Sequence, residues 1–304
     1  MDDHERPGWI RLAVLHYRGR DRRRGLPDHA GDQGQGTRLS RHVVVTGAGS
    51  GIGRQTAVRF AGLGCRLTLV DIDAAQLQAA SDECVRSGAK EVRAVVSDLR
   101  TPDGPEDMVA EAWSVAPVDV LVNSAGVYPA TPFLSLDAGS WDSVLHLNTR
   151  APLLATVALA RRAVESGRRA SVVNISSGAA LRARPGAAPY STSKAALEMV
   201  TKASALELGP YGIRVNAVAP GFVTVNSTAN PVTEEYAAAV SGNPLGRRGE
   251  PDDIARAVVW IAGEEAAWIT GETLRVDGGS SAGAMNLPLH WTPRSMSESG
   301  NRDN

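Results

Sequence analysis

The octapeptide Thr46-Gly47-Ala48-Gly49-Ser50-Gly51-Ile52-Gly53 constrains this chain more than any other segment. It follows the apolar run Val43-Val44-Val45 and leads into a helical pattern that begins near Arg54. Strand, glycine turn and helix in that order aim the unpaired amides of a helix N-terminus at an anion. Gly47 permits the tight turn, Gly51 lets backbone approach a phosphate, and Gly53 lets the helix pack on the strand. A dinucleotide is therefore expected here, with its pyrophosphate on the turn.

Beyond the turn, short β-branched runs alternate with longer helical patterns. Strands are expected at 42–46, 66–70, 92–96, 118–122, 171–175, 214–219 and 273–276. Helices are expected near 52–63, 74–87, 104–115, 139–165, 190–208 and 252–263, with Pro152 interrupting the fourth. The strands read as nearly continuous apolar runs, as strands covered on both faces should. This alternation predicts an α/β fold: one doubly wound parallel-sheet (Rossmann) domain with three layers, α/β/α, over residues 41–283.

Residues 1–40 carry Arg18, Arg20, Arg22, Arg23 and Arg24 and then a Gly/Asp/Gln-rich stretch. They read as a disordered leader, with a basic arm for an acidic partner as the alternative. Residues 284–304 read as a polar tail in which Leu287, Leu289 and Trp291 could dock. The formal net charge of -1 gives no bias toward nucleic acid, and no apolar run reaches membrane-helix length. Cys65 and Cys84 form neither a disulfide framework nor a zinc motif, so no metal is expected and a cytoplasmic location is.

Asp71 ends the second strand about 20 residues after the glycines, where a carboxylate can accept hydrogen bonds from an adenosine ribose. It would also repel a 2′-phosphate, and Ser50 leaves no cation in the turn to hold one. NAD is thus expected over NADP. Asp73 lies close enough to substitute, and Asp71 alone could be a strand-end turn former.

The Gly-x-x-x-Gly-x-Gly spacing, from Thr46 to Gly53, resembles the cofactor turn of the short-chain dehydrogenase/reductase family. Further motifs agree in order and spacing from about Arg41 to Gly279: Asp98-Leu99, Asn123-Ser124-Ala125-Gly126, Asn148, Asn174-Ile175-Ser176-Ser177, Tyr190 with Lys194, Pro220-Gly221 and Val276-Asp277-Gly278-Gly279. The resemblance implies a cofactor-binding set of Gly47, Ser50, Gly51, Ile52, Gly53, Asp71, Asp98, Leu99, Asn123, Ser124, Ala125, Tyr190, Lys194, Pro220, Gly221, Val223 and Thr224. Ser124 departs from the commoner asparagine. Val225 stands where the family often has a threonine, and Thr224 is the expected substitute for its carboxamide contact.

Tyr190 and Lys194 are four apart at the start of an Ala-rich helical stretch, so they share a face. An ammonium beside a phenol favours the phenolate, as does a helix N-terminus, so Tyr190 is expected to be tuned downward as a general acid/base. In the resembled family the catalytic serine precedes the tyrosine by thirteen positions, which selects Ser177 rather than Ser176. Its hydroxyl would hold the substrate oxygen. Asn148 lies inside an apolar helical stretch, where an unpaired amide costs about a few kcal/mol. The family implies that its backbone carbonyl holds a water on the lysine side of the site; a core-satisfied asparagine is the alternative. Asn123 is expected to tie the fourth strand to its neighbour.

These implications converge on an NAD-dependent oxidoreductase moving a hydride between nicotinamide and a small secondary alcohol or ketone. A 3-oxoacyl-(acyl carrier protein) reductase-like enzyme is the alternative, though such enzymes more typically use NADPH. A non-catalytic nucleotide-binding module fits less well, because Ser177, Tyr190 and Lys194 are all present. The family implies a homotetramer or homodimer, with nucleic acid and membrane not expected as partners. The substrate pocket is expected among Val127-Tyr128-Pro129, the 178–189 loop and the segment from Phe222 to about Leu245. Arg182 and Arg184 could hold an anionic substrate, be solvated, or meet another subunit. His146 is expected to be a packed helix residue.

Overall fold

A computed structural model describes residues 41–225 and 232–284. The expected leader at 1–40, and Leu287, Leu289 and Trp291 of the expected tail, lie outside the described residues.

Seven parallel strands form one sheet in the order β3-β2-β1-β4-β5-β6-β7. They are β1 His42–Thr46, β2 Arg66–Asp71, β3 Glu91–Val96, β4 Val120–Asn123, β5 Ala170–Ile175, β6 Ile213–Pro220 and β7 Thr273–Val276. The helices are α1 Gly51–Gly62, α2 Ala74–Arg86, α3 Gly104–Val115, α4 Ala138–Leu145, α5 Ala151–Glu165, α6 Ala188–Leu208, α7 Glu234–Val240 and α8 Pro251–Ala262. The strand order reverses between β1 and β4, and the carboxyl ends of strands beside such a reversal open a crevice.

Two cores sandwich the sheet. Val43 and Val45 of β1 join Phe60, Leu77, Ile254 and Ile261 on the face covered by α1, α2 and α8. Val44, between them, joins Met108, Leu121 and Leu159 on the face covered by α3 and α5. This alternation follows from the two-residue period of a strand. The resulting three-layer α/β/α arrangement matches the expected fold.

Three local expectations need correction. β3 is an edge strand with Glu91, Arg93, Ala94 and Val96 exposed, so it is not covered on both faces as its apolar pattern suggested. The expected helix at 139–165 is two helices joined by a π-helical turn, His146–Arg150. There Ala151 N–H donates to the His146 carbonyl, five residues back. Pro152 has no N–H to give to the Asn148 carbonyl four residues back, so the α-helical ladder breaks at Asn148. Helix α7 was absent from the periodicity because it is only 7 residues long. Its N-terminal signal is nonetheless present: Thr233 caps it by accepting from Tyr236 N–H, and Glu234 and Glu235 fill the first turn.

Candidate functional site

The glycine turn leaves β1 at the reversal of strand order. Gly47 has φ +65° and Gly51 φ +53°, both in the left-handed region open to glycine. A Cβ on Gly53 would lie 2.1 Å from the Gly47 carbonyl oxygen, and one on Gly47 would lie 2.8 Å from Ala125 Cα. Ser50 is the N-cap residue of α1, but its side chain leaves the helix amides uncapped. Ile52 and Gly53 follow in the first turn. A cavity of about 360 Å³ opens over this terminus, lined by Gly49, Ser50, Gly51, Gln76, Thr224 and Val225 among others. A cradle without Cβ atoms at the head of a helix fits a pyrophosphate.

Asp71 reaches into this turn. Its Oδ2 accepts from Gly49 N–H at 2.8 Å and its Oδ1 from Asp73 N–H at 3.1 Å. Asp73 is occupied instead in capping α2, accepting from Ala75 and Gln76 N–H. Ser97 N–H donates to the Asp71 carbonyl at 3.0 Å, which sets Asp98 and Leu99 beside it. Leu99 is buried. The Asp98 carboxylate pairs with Arg100, whose hydrogen bonds hold it below the usual carboxylate range.

Thr46 joins the turn to β4. Its Oγ1 accepts from Ser124 N–H at 3.0 Å and Ala125 N–H at 3.1 Å, while donating to the Val122 carbonyl at 3.4 Å. Sequence reasoning assigned Thr46 no such task; a hydroxyl at the last strand residue before the turn was the available signal. Asn123 donates to Asn174 Oδ1 at 2.9 Å, and Asn174 donates to Thr201 Oγ1 at 2.9 Å, a buried relay from β4 through β5 to α6.

The loop after β5 separates its two serines by partner. Ser176 is buried and donates to Glu198 at 2.8 Å. Ser177 accepts from Ala179 N–H at 3.1 Å and hydrogen-bonds the Tyr190 phenol. The serine at the tyrosine is the one that the family resemblance implied.

Tyr190 lies in the first turn of α6, and Lys194 stands one turn on with Nζ 5.9 Å from the phenol ring centroid. Lys194 is buried, and its Nζ donates to the Ile175 carbonyl at 2.7 Å. Burial pushes its pKa down to about 8. The Tyr190 phenol is raised, not lowered: burial outweighs the opposing Ser177 hydrogen bond and the Arg184 charge. This corrects the expectation of a phenol tuned downward in the protein alone. Desolvation penalises the phenolate, and the same desolvation reduces the ammonium meant to stabilise it.

Asn148 is fully buried and satisfied. Its Oδ1 accepts from Val127 N–H at 2.9 Å, and its Nδ2 donates to the Val127 carbonyl at 2.8 Å and to Ser193 Oγ at 3.1 Å. Ser193 in turn donates to the Tyr190 carbonyl at 2.7 Å. The side chain thus clamps the 126–127 loop to the start of α6, and the backbone carbonyl is the atom released by Pro152.

Past β6, Gly221 N–H donates to the Val276 carbonyl at 3.1 Å, after Pro220. Val223 forms a parallel bridge with Gly249, made by Gly249 N–H to Phe222 and Thr224 N–H to Gly249. In such a bridge the central residue's own N–H and carbonyl face the opposite side. Val223 is thereby free for a backbone contact, whereas the Thr224 amide is used. His146 lies in the π turn and meets neither Tyr190 nor Ser177 by any hydrogen bond. Among the described residues there is no cluster of three metal-ligating side chains and no helix long and apolar enough to cross a membrane.

Comparison with known proteins agrees with this geometry. The family model described as enoyl-(acyl carrier protein) reductase, a short-chain dehydrogenase/reductase model, matches residues 47–281. The chain is 38% identical over 241 residues to galactitol 2-dehydrogenase (L-tagatose-forming) of Cereibacter sphaeroides, covering 78% of this chain and 93% of that protein. It is 35% identical over 255 residues to (3R)-3-hydroxyacyl-CoA dehydrogenase of Homo sapiens, covering 78% and 94%. The solved structure of 4-hydroxyisoleucine dehydrogenase complexed with NADH superposes with a TM-score of 0.72 at 29% identity, covering 81% of this chain and 100% of that one. A glycine turn built for a dinucleotide, a serine and a tyrosine in contact, and a match running through nearly all the described residues place the chain in the short-chain dehydrogenase/reductase family, oxidoreductases acting on hydroxyl and keto groups.

Proposed function

We propose that the chain is an NAD-dependent oxidoreductase that moves a hydride between nicotinamide and a small secondary alcohol or ketone. The observation that carries this reading is the contact between Ser177 and the Tyr190 phenol, with Lys194 one helical turn away, at the strand ends beside the glycine turn. The Gly47–Gly53 turn, Asp71 and the outward backbone of Val223 fit a nicotinamide dinucleotide. When bound, that group supplies the hydride donor or acceptor.

The chain's own residues supply orientation, oxygen stabilisation and a proton path. Ser177 would hold the substrate oxygen beside the Tyr190 hydroxyl. Tyr190 takes the hydroxyl proton during oxidation and returns it during reduction. Lys194 has donors left after its bond to Ile175, which suit a ribose hydroxyl and a proton exit toward the Asn148 carbonyl.

NAD preference rests on Asp71, whose carboxylate stands at Gly49 N–H, where a ribose 2′-phosphate would meet it. The assembly reading is a homodimer or homotetramer, supported by apolar side chains left exposed on α5 and α6: Leu153, Met199 and Leu206. Sedimentation velocity giving a monomer at micromolar concentration would remove it. The location reading is cytoplasmic, where the free, buried Cys65 and Cys84 remain reduced.

The test is a panel of secondary alcohols, sugars, hydroxysteroids, ketones and 3-oxoacyl thioesters, with NAD(H) and NADP(H) in parallel. Turnover with NAD(H), a loss of ~100-fold or more in Tyr190→Phe, and a lowered NAD-over-NADP ratio in Asp71→Ser are expected. Full activity in Tyr190→Phe sinks the mechanism. Activity with NADP alone sinks the Asp71 assignment.

A further inference from the structure

The loop between Ser177 and Tyr190 carries two arginines whose fates differ. Arg182 is exposed and donates to the Ser280 carbonyl at 3.0 Å, so it ties the loop to the segment after β7. Arg184 has no such task. Its guanidinium lies over the ring of Tyr236 on α7, 5.5 Å from the centroid. Its Nε is shielded from solvent and meets no hydrogen-bond partner among the described residues. Among the described residues no carboxylate forms an ion pair with it.

The surroundings set this cation beside the reacting groups. The Tyr128 ring packs against Tyr190 with centroids 5.6 Å apart and planes tilted by 55°. The Arg184 charge reaches the Tyr190 phenol and favours its ionisation, and Tyr236 acts on the same phenol. Tyr128, Tyr190 and Tyr236 thus make an aromatic wall with one guanidinium set into it. A guanidinium N–H removed from water without an acceptor is costly. An arginine over an aromatic face keeps its in-plane N–H edge for a carboxylate, which it can bind through two parallel hydrogen bonds.

We propose that Arg184 is a specificity-determining residue that binds the carboxylate of an oxo- or hydroxy-carboxylate substrate. The carboxylate takes the terminal N–H groups of the guanidinium, and the carbonyl or carbinol carbon falls toward Ser177 and Tyr190. The inference rests on the oxidoreductase reading above for its substrate class.

The experiment compares 2-, 3- and 4-oxo acids with their methyl esters, in the wild type, Arg184→Met and Arg184→Lys. Binding of the saturated carboxylates is followed in parallel by ligand-observed NMR. The wild type is expected to prefer at least one acid over its ester by ~10-fold or more in kcat/KM. Arg184→Met should lose that preference through KM, and Arg184→Lys should keep part of it. Carboxylate binding should disappear in Arg184→Met. No acid preference and no carboxylate binding in the wild type overturn the proposal, as does a preference that survives in Arg184→Met. A changed subunit count in Arg184→Met with the preference intact would make the arginine a subunit contact and overturn it too. Carboxylate binding lost in Arg184→Met, with no turnover of any compound, would uphold the anion site while rejecting hydride transfer.

Discussion

Lys194 shows how one residue can be needed and costly at once. Its ammonium is buried on α6 with one carbonyl acceptor, and burial brings its pKa to about 8 from 10.5. The unfolded chain therefore binds a proton between those values that the folded chain has released. Stability rises with pH in that window, and below it the full burial penalty is present. Relative to Lys194→Met, the wild type should gain up to about 3 kcal/mol between pH ~8 and ~10.5. Chemical denaturation of both proteins across that range checks it; parallel curves would contradict the burial effect. That Tyr190 and Lys194 share a face was legible in the sequence because a helix fixes which side chains do; Ser177 was picked out by the family resemblance. The direction of the Tyr190 shift was not legible, because desolvation depends on neighbours contributed by distant segments, Tyr128 and Tyr236 among them.

At the scale of elements, the π turn at His146–Arg150 ties a backbone break to the site. Asn148 spends its side chain on Val127 and Ser193, and Pro152 leaves its carbonyl without the usual helical partner. Pro152→Ala restores the missing N–H and allows the α-helical bond to close on that carbonyl. The expected outcome is a protein at least as stable as the wild type with kcat lowered by ~10-fold. Melting curves and steady-state kinetics together decide it; unchanged kcat would separate the carbonyl from the proton path. Pro152 marked an interruption in the sequence, but whether it would kink, end or widen the helix depended on how α4 and α5 pack on the rest. The long, strongly periodic helices were legible. Helix α7 was not, since two turns carry too few apolar positions to establish a period.

At the scale of the whole molecule, the sheet core holds a histidine that acid will attack. His42 on β1 is almost fully buried, with Nδ1 2.9 Å from the Ala116 carbonyl and Nε2 2.9 Å from Thr68 Oγ1. The carbonyl can only accept, so Nδ1 carries the proton and Nε2 accepts from Thr68. Burial lowers the imidazole pKa below its ordinary 6.5. As pH falls through ~6.5 the unfolded chain protonates first, so stability is lost from there downward. His42→Gln, which keeps a donor and an acceptor without titrating, should flatten that loss in thermal melts from pH ~7.5 to ~5. An equal acid loss in both proteins would show that other groups cause it.

By itself the sequence determined the architecture, the glycine turn and the shared face of Tyr190 and Lys194. Those features rest on local rules: two-residue and 3.6-residue periods, the freedom of glycine at positive φ, and fixed spacings along one helix. Only the tertiary structure decided that Ser176 turns to Glu198 while Ser177 meets Tyr190, that the Tyr190 phenol is raised, and that Arg182 is tied while Arg184 is not. The physical reason is common to all three. Burial, charge and unmet hydrogen bonds are set by segments far apart in sequence, which meet only when the strand order reverses between β1 and β4 and α7 comes to lie against the loop before α6.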